Sequence, residues 1–179
     1  ITLNRPEAMN AINTDLAQGL LKAIEELDSN DGLTAGVLTG NGRGFCSGMD
    51  LKAFAAGGPP KGFDQFLETG SQKPLIAAIE GFALAGGLEV ALTCDLLVAA
   101  EDAKIGIREV KVGLFAAGGA LLRLPRRVPY AVAMEMALTG QPITAQEAKD
   151  YGLVSRVTEK DGTVQAAMEL AESIAENAP

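Results

Sequence analysis

The segment from Leu75 to Ala100 constrains the fold more than any other part of the chain. It is the most apolar stretch and is long enough to cross a bilayer, yet Glu80, Glu89 and Asp95 interrupt it and Gly86-Gly87 breaks it. Ionised groups at that density exclude a membrane span, so the segment must be protein core. It divides into a buried strand over Pro74–Glu80, a tight connection through Gly81-Phe82-Ala83-Leu84-Ala85-Gly86-Gly87, a short apolar helix to about Cys94, and a further strand over Leu96–Ala100.

The rest of the chain repeats this alternation. Ile1-Thr2-Leu3 reads as a strand; the opening on Ile1 rather than Met leads us to expect residues before it. Leu16, Leu20, Ile24 and Leu27 recur at helical spacing behind Thr14, taken as the N-cap, and Ser29-Asn30-Asp31-Gly32 is the stop. Ala35–Thr39 is a short buried strand entering the turn-rich Gly40–Asp50. A helix-like piece follows, and then Gly57-Gly58-Pro59-Pro60-Lys61-Gly62, whose composition is that of a flexible loop. Downstream come an extended Lys104–Ile107, a helix-like Ala120–Arg127 and a helix opened by Pro129. Thr144-Ala145-Gln146-Glu147 is a capping box opening a helix that stops at Gly152; a strand over Leu153–Val157 and an amphipathic helix over Val164–Ala178 close the chain. Strands alternating with helices, without repeats or a change of composition, predict one α/β domain over residues 1–179 with a parallel-rich sheet.

Composition narrows the chemistry. The 179 residues contain no histidine, which removes Ser-His-Asp and Cys-His nucleophile systems and every His-bearing zinc site. Two cysteines, Cys46 and Cys94, cannot close a four-thiolate cage, and in a chain with a full core they are expected to be buried free thiols of a reducing compartment. With 15 basic and 23 acidic residues the net charge is −8, so no basic face for nucleic acid is expected and an anionic ligand must be held locally. The glycine run from Gly40 fails the dinucleotide pattern at Phe45, no P-loop lysine motif occurs, and Phe45 stands where a nucleophile elbow around Ser47 needs glycine. A Ser-Lys pair stays open in principle. Proton transfer otherwise falls to Asp, Glu, Lys, Tyr or a thiol.

Two strand-to-helix turns remain, Phe45-Cys46-Ser47-Gly48-Met49-Asp50-Leu51 and Gly81 to Glu89. In each, glycine leaves amide groups uncovered near a helix start, and two converging amides make an oxyanion hole. Most such turns, however, are only turns. Glu89 has Ala85, Gly86, Leu92 and Thr93 as its helical neighbours, a small and mostly apolar face that should desolvate the carboxyl and raise its pKa. A half-exposed edge position explains the same residue equally well. Glu109, between Arg108 and Lys111, reads by itself as a solvated ion-pair stretch.

These residues resemble the enoyl-CoA hydratase/isomerase (crotonase) family. Ile76 to Glu89, continuing to Thr93-Cys94-Asp95-Leu96, is similar to its central block; Phe45 to Leu51 is similar to its first oxyanion segment; Asn4-Arg5-Pro6 with Asn10-Ala11-Ile12 is similar to its N-terminal one. The resemblance, running from about Ile1 to Val157, implies a crotonase-like spiral of ββα units. It implies oxyanion amides at Met49 and Gly86 and catalytic carboxylates at Glu89 and Glu109, which reverses the bland reading of Glu109. It further implies an enoyl-CoA hydratase that adds water across the α,β double bond, with Glu89 handling the water and Glu109 delivering the α-proton. Met49, Asp50, Leu51, Lys52 and Gly86 would line the substrate, with Lys52 and Arg5 offering charge to its phosphates. No metal or cofactor is implied beyond the substrate's own coenzyme A. A homotrimer or dimer of trimers in the cytoplasm, serving fatty-acid β-oxidation, is the family expectation. Carnitinyl-CoA dehydratase chemistry and, less readily, a non-catalytic acyl-CoA binder stand as alternatives. Gly113-Leu114-Phe115-Ala116-Ala117-Gly118-Gly119 departs from the usual proline-glycine turn, which leaves the acyl group open. The chain stops where the family continues into C-terminal helices.

Overall fold

A computed structural model describes residues 1–177. β1 (Thr2–Leu3) leads through a 3-10 turn into α1 (Thr14–Ser29), which buries Ala17, Leu20, Ile24 and Leu27 against β2 (Gly36–Gly40) and its neighbours. The N-cap of α1 is Asn13, whose side chain accepts from the Leu16 amide, and not the expected Thr14, which is the first helical residue. Asn holds the extended N-cap backbone at least as well as Thr, and the cap is set one residue earlier.

After β2 come α2 (Leu51–Gly57) and α3 (Phe63–Thr69). α3 was not legible in the sequence, because seven residues carry too little periodicity. In the loop between the helices Pro60 is buried and the Lys61 amide donates to Thr14 Oγ1 at 3.4 Å.

β3 (Leu75–Ile79) is buried at every position and leads within two residues to β4 (Phe82–Leu84). The expected tight connection therefore contains a strand of a second sheet. α4 (Gly86–Thr93) and β5 (Leu96–Ala100) follow, then β6 (Lys104–Gly106) beside β4. β3-β4-α4 and the succeeding β5-β6 are turns of one spiral, each giving a strand to either sheet. α5 (Ala120–Arg123), a 3-10 turn, α6 (Tyr130–Thr139), β7 (Ile143–Thr144), α7 (Ala145–Asp150), β8 (Arg156–Thr158) and α8 (Thr163–Ala175) complete the chain. The Thr144–Glu147 capping box forms as expected. The last strand lies at Arg156–Thr158 rather than Leu153–Val157, because the Leu153 and Val154 amides are drawn to Ala148 O and close the α7 terminus instead. The end expected for the last helix, Ala178, lies outside the described residues.

The main sheet is parallel throughout, in the order β1-β2-β3-β5-β8; the smaller one is β4-β6-β7, with β7 antiparallel. Alternation along β3 sends Ala77 and Ile79 into the central core and Ile76 and Ala78 toward Ala167 and Ala171 of α8. Burial of both faces explains the unbroken apolar run. Two of its three interrupting carboxylates are structural: Glu80 accepts from Thr163 Oγ1 at 2.7 Å and caps α8, and Asp95 accepts from the Leu75 amide at 2.8 Å. No helix among the described residues is long and apolar enough to cross a membrane.

Candidate active site

The segment Phe45–Asp50 is held on both sides. On one, the Cys46 amide donates to Phe82 O and the Leu84 amide to Cys46 O; on the other, the Ile12 amide donates to Gly48 O and the Asp50 amide to Ile12 O. This second pair is a parallel bridge between Ile12 and Met49, whose geometry turns the Met49 N–H away from Ile12. The Gly86 N–H is the first of α4 and has no intrahelical partner. Among the described residues neither amide donates to a protein acceptor. The two backbones are close: a Cβ on Gly86 would stand 3.5 Å from Met49 N, and one on Gly48 would stand 3.3 Å from Gly86 N. Ala85, which aims the Gly86 amide, has φ 51° and ψ −129°, a conformation costly for a residue with a Cβ and found where a site dictates the backbone.

These amides open on a cleft of 1230 Å³, larger than the ~300–1,000 Å³ of common small-molecule pockets. Its walls include Met49, Leu51, Phe63, Leu67, Leu84 and Gly86. Glu89, only 5% exposed, lies one turn into α4 and points into this cleft. Burial raises its pKa, the nearby Glu109 charge adds to this, and the Ala120 amide, donating to Glu89 Oε1 at 3.2 Å, opposes it. Glu109 opens a 3-10 turn after β6. Its flanking cations do not pair with it; its Oε2 is buried without any hydrogen-bond partner among the described residues, and burial raises its pKa also. The two carboxyl groups feel each other across the cleft.

Of the other residues expected to line the substrate, Leu51 lies on the wall of the cleft, whereas Asp50 and Lys52 are outside that wall. Asp50 is consumed as the N-cap of α2, accepting from the Lys52 and Ala53 amides, and as the partner of Arg5 at 3.1 Å. The Ala53 amide and the Arg5 guanidinium hold its carboxyl below the usual range. Arg5 is thereby engaged in pinning the N-terminal segment under the amide loop. Both cysteines are free and buried; burial pushes the Cys46 thiol up to about 12, removing it as a nucleophile. The sequence marks Gly118-Gly119 only as part of a departure that bears on the acyl group, and gives neither that turn nor Arg123 a place beside Glu89. The one available sign was a cation enclosed by Leu121-Leu122 and Leu124, which has to find acceptors somewhere.

Two free amides and two desolvated carboxyl groups on one apolar cleft define an enzyme site suited to stabilising a developing oxyanion and moving protons. The chain belongs to the enoyl-CoA hydratase/isomerase family, whose model matches residues 1–179. It is 42% identical to the (E)-benzylidenesuccinyl-CoA hydratase of Thauera aromatica, over all of this chain and 73% of that one. Among solved structures, an enoyl-CoA hydratase of Mycobacterium tuberculosis H37Rv superposes with a TM-score of 0.94 at 52% identity, covering 99% of this chain and 72% of the other. A carnitinyl-CoA hydratase of Mycobacterium avium does so with 0.94 at 40% identity, covering 99% and 71%. The crotonase fold expected from the sequence is thus the fold observed.

Proposed function

We infer that the protein is an enoyl-CoA hydratase, a hydro-lyase that adds water reversibly across the α,β double bond of a 2-enoyl-CoA thioester. The observation carrying this is that two carboxyl groups of unequal environment line the same cleft as one pair of free amides. The thioester carbonyl accepts from the Met49 and Gly86 N–H groups, which are complementary to the enolate-like charge of the transition state. Glu89 receives a hydrogen bond from the Ala120 amide, which favours its ionised form, so it orients water and takes its proton. Glu109 is pushed up by burial against the opposing Glu109 and Arg108 amides, and its buried Oε2 has no hydrogen-bond partner among the described residues, so we assign it the proton delivered to the α-carbon. The hydroxyl adds at the β-carbon, the proton at the α-carbon, and no electrons are exchanged with a cofactor.

Hydration is measured by loss of the enoyl-thioester absorbance of crotonyl-CoA. Glu109→Gln is expected to lower kcat about 10²–10⁴-fold with KM nearly unchanged; unchanged turnover refutes the assignment. Carnitinyl-CoA belongs in the same assay, because a carnitinyl-CoA hydratase of M. avium shares the fold at 40% identity. Binding of crotonyl-CoA without turnover would make the chain an acyl-CoA binder. Exposed Leu122, Tyr130 and Leu138 on the α5–α6 face support assembly, for which we propose a homotrimer or dimer of trimers, read by sedimentation. Two free buried thiols support a cytoplasmic location, and a 2-enoyl-CoA substrate is compatible with a place in β-oxidation.

A further inference from the structure

Arg123 sits where the hydratase reading gives it no role. It lines the cleft, yet among the described residues no carboxylate pairs with it. Its guanidinium instead spends its donors on carbonyls: Nη1 donates to Gly118 O at 3.1 Å and Nη2 to Leu67 O, near the C-terminal end of α3. The side chain folds back over its own helix start, where its amide also donates to Gly119 O at 2.9 Å. Everything it grips borders Glu89. The Gly118–Ala120 turn supplies the Ala120 N–H held by Glu89 Oε1, and a Cβ on Gly118 would stand 2.5 Å from Glu89 Oε2 and from Leu67 Cδ1. The other ties on the turn are the Glu89 carboxylate, which accepts from the Ala120 amide, and the buried side chains of Ala116 and Ala120. Gly119 is at φ 103°, α5 has four residues, and the preceding Gly113–Gly118 run has mostly exposed side chains.

We propose that Arg123 is a positioning residue for Glu89: by clamping the Gly118 and Leu67 carbonyls together it fixes the turn whose amide orients the Glu89 carboxylate toward water. This rests on the hydratase reading for its consequence and on the clamp alone for its geometry. A fork of fixed donors suits the task where an ammonium does not, since the guanidinium reaches two carbonyls on different elements at once. Its charge has a second effect. Arg123 favours the ionised Glu89, against burial and the Glu109 charge; the other charged groups at this cleft are Asp64 and Glu68 of α3, Arg108 and Lys111 beside Glu109, and Arg126.

Two variants separate the effects. Arg123→Lys keeps the charge and loses the fork. It should lower kcat for crotonyl-CoA about 10- to 100-fold, the cost of a displaced group, with KM within about threefold and the acidic limb of the pH profile moved to higher pH, because the Ala120 amide that favours the ionised Glu89 is displaced. Arg123→Gln loses both, so the same fall should come with an acidic limb moved further to higher pH. The protonated-carboxyl infrared band of Glu89, isolated by subtracting the Glu89→Gln spectrum, reports that midpoint without turnover. Wild-type kcat in Arg123→Lys overturns the proposal, as does a loss in Arg123→Gln matched by lost folded protein with the midpoint unmoved. If Arg123→Gln does not fold, Arg123→Lys decides alone through its kcat and KM. If the wild-type protein fails to hydrate crotonyl-CoA, the hydratase reading falls. The clamp is then judged by the infrared midpoint, which a displacement in Arg123→Lys, where the charge is kept, supports and an unchanged value refutes.

Discussion

Gly118→Ala tests the geometry of the site with one methyl group. The new Cβ would meet Glu89 Oε2 and Leu67 Cδ1 at 2.5 Å each, and an ordinary contact begins at 3.4 Å, so the carboxylate must retreat by about 0.9 Å. Leu67 is buried and closes the other side, which leaves the methyl nowhere to turn. Overpacking of this kind costs about 1–3 kcal/mol of stability, which for a chain of this length lowers Tm by roughly 2–12 °C. Displacing a catalytic group by about 1 Å costs on the order of 100-fold in rate, or ~2.7 kcal/mol of transition-state stabilisation. Steady-state hydration of crotonyl-CoA, run well below the Tm, should therefore show kcat down about 100-fold with KM little moved. Gly57→Ala is the control, since a Cβ at that helix end meets nothing within 4 Å. Wild-type kcat in Gly118→Ala would refute both the packing of the turn on Glu89 and the assignment of Glu89 to the chemistry.

Hydration needs one glutamate ionised and one protonated, and burial raises both, so rate against pH should be a bell with each limb above the usual glutamate range; a limb at about 4.3 contradicts the shared cleft. The same shifts act on stability. A carboxyl with a raised folded pKa makes the native state hold more protons than the unfolded one, so its contribution is full below the unfolded value and fades as pH rises through the folded one. Glu109→Gln should accordingly melt higher than wild type at pH 8 while losing activity, and a lower Tm there would contradict the unpartnered Oε2. Gly19→Ala, on the exposed face of α1 with nothing within 4 Å of the added carbon, should stabilise by about 0.5–1 kcal/mol in a denaturant titration, with kcat unchanged. Asn13→Ala should cost about 1 kcal/mol, whereas Thr14→Ala should cost less, which reads out directly which residue caps α1.

The carboxylates show best what a sequence discloses and where it stops. That Glu80, Glu89 and Asp95 break an otherwise apolar run was enough to reject a membrane span and require a core, since a charge in such a run has to have a partner or a purpose. Which of them has which was not legible. Glu80 caps α8 and Asp95 holds the first amide of β3, contacts that join residues 83 and 20 positions apart, and no local pattern encodes such distances. Glu89 could be half placed, because one side of its environment is its own helix, whose small face follows from i ± 3 and i ± 4 neighbours, while the other side is the Gly118–Ala120 turn, whose Ala120 lies 31 positions on. Glu109 could not, because its flanking cations looked like partners; only the resemblance to a family marked it, and the cations do not pair with it. The amides follow the same rule in reverse. Glycine at 48 and 86 announced open backbone, but that Met49 and Gly86 face each other depends on the Ile12–Met49 bridge and the strained Ala85, both made by tertiary packing. Arg123 lies furthest from view. Its neighbours in sequence are apolar, its partners are main-chain oxygens without identity, and its effect on Glu89 passes through a turn of glycines whose shape it helps to set.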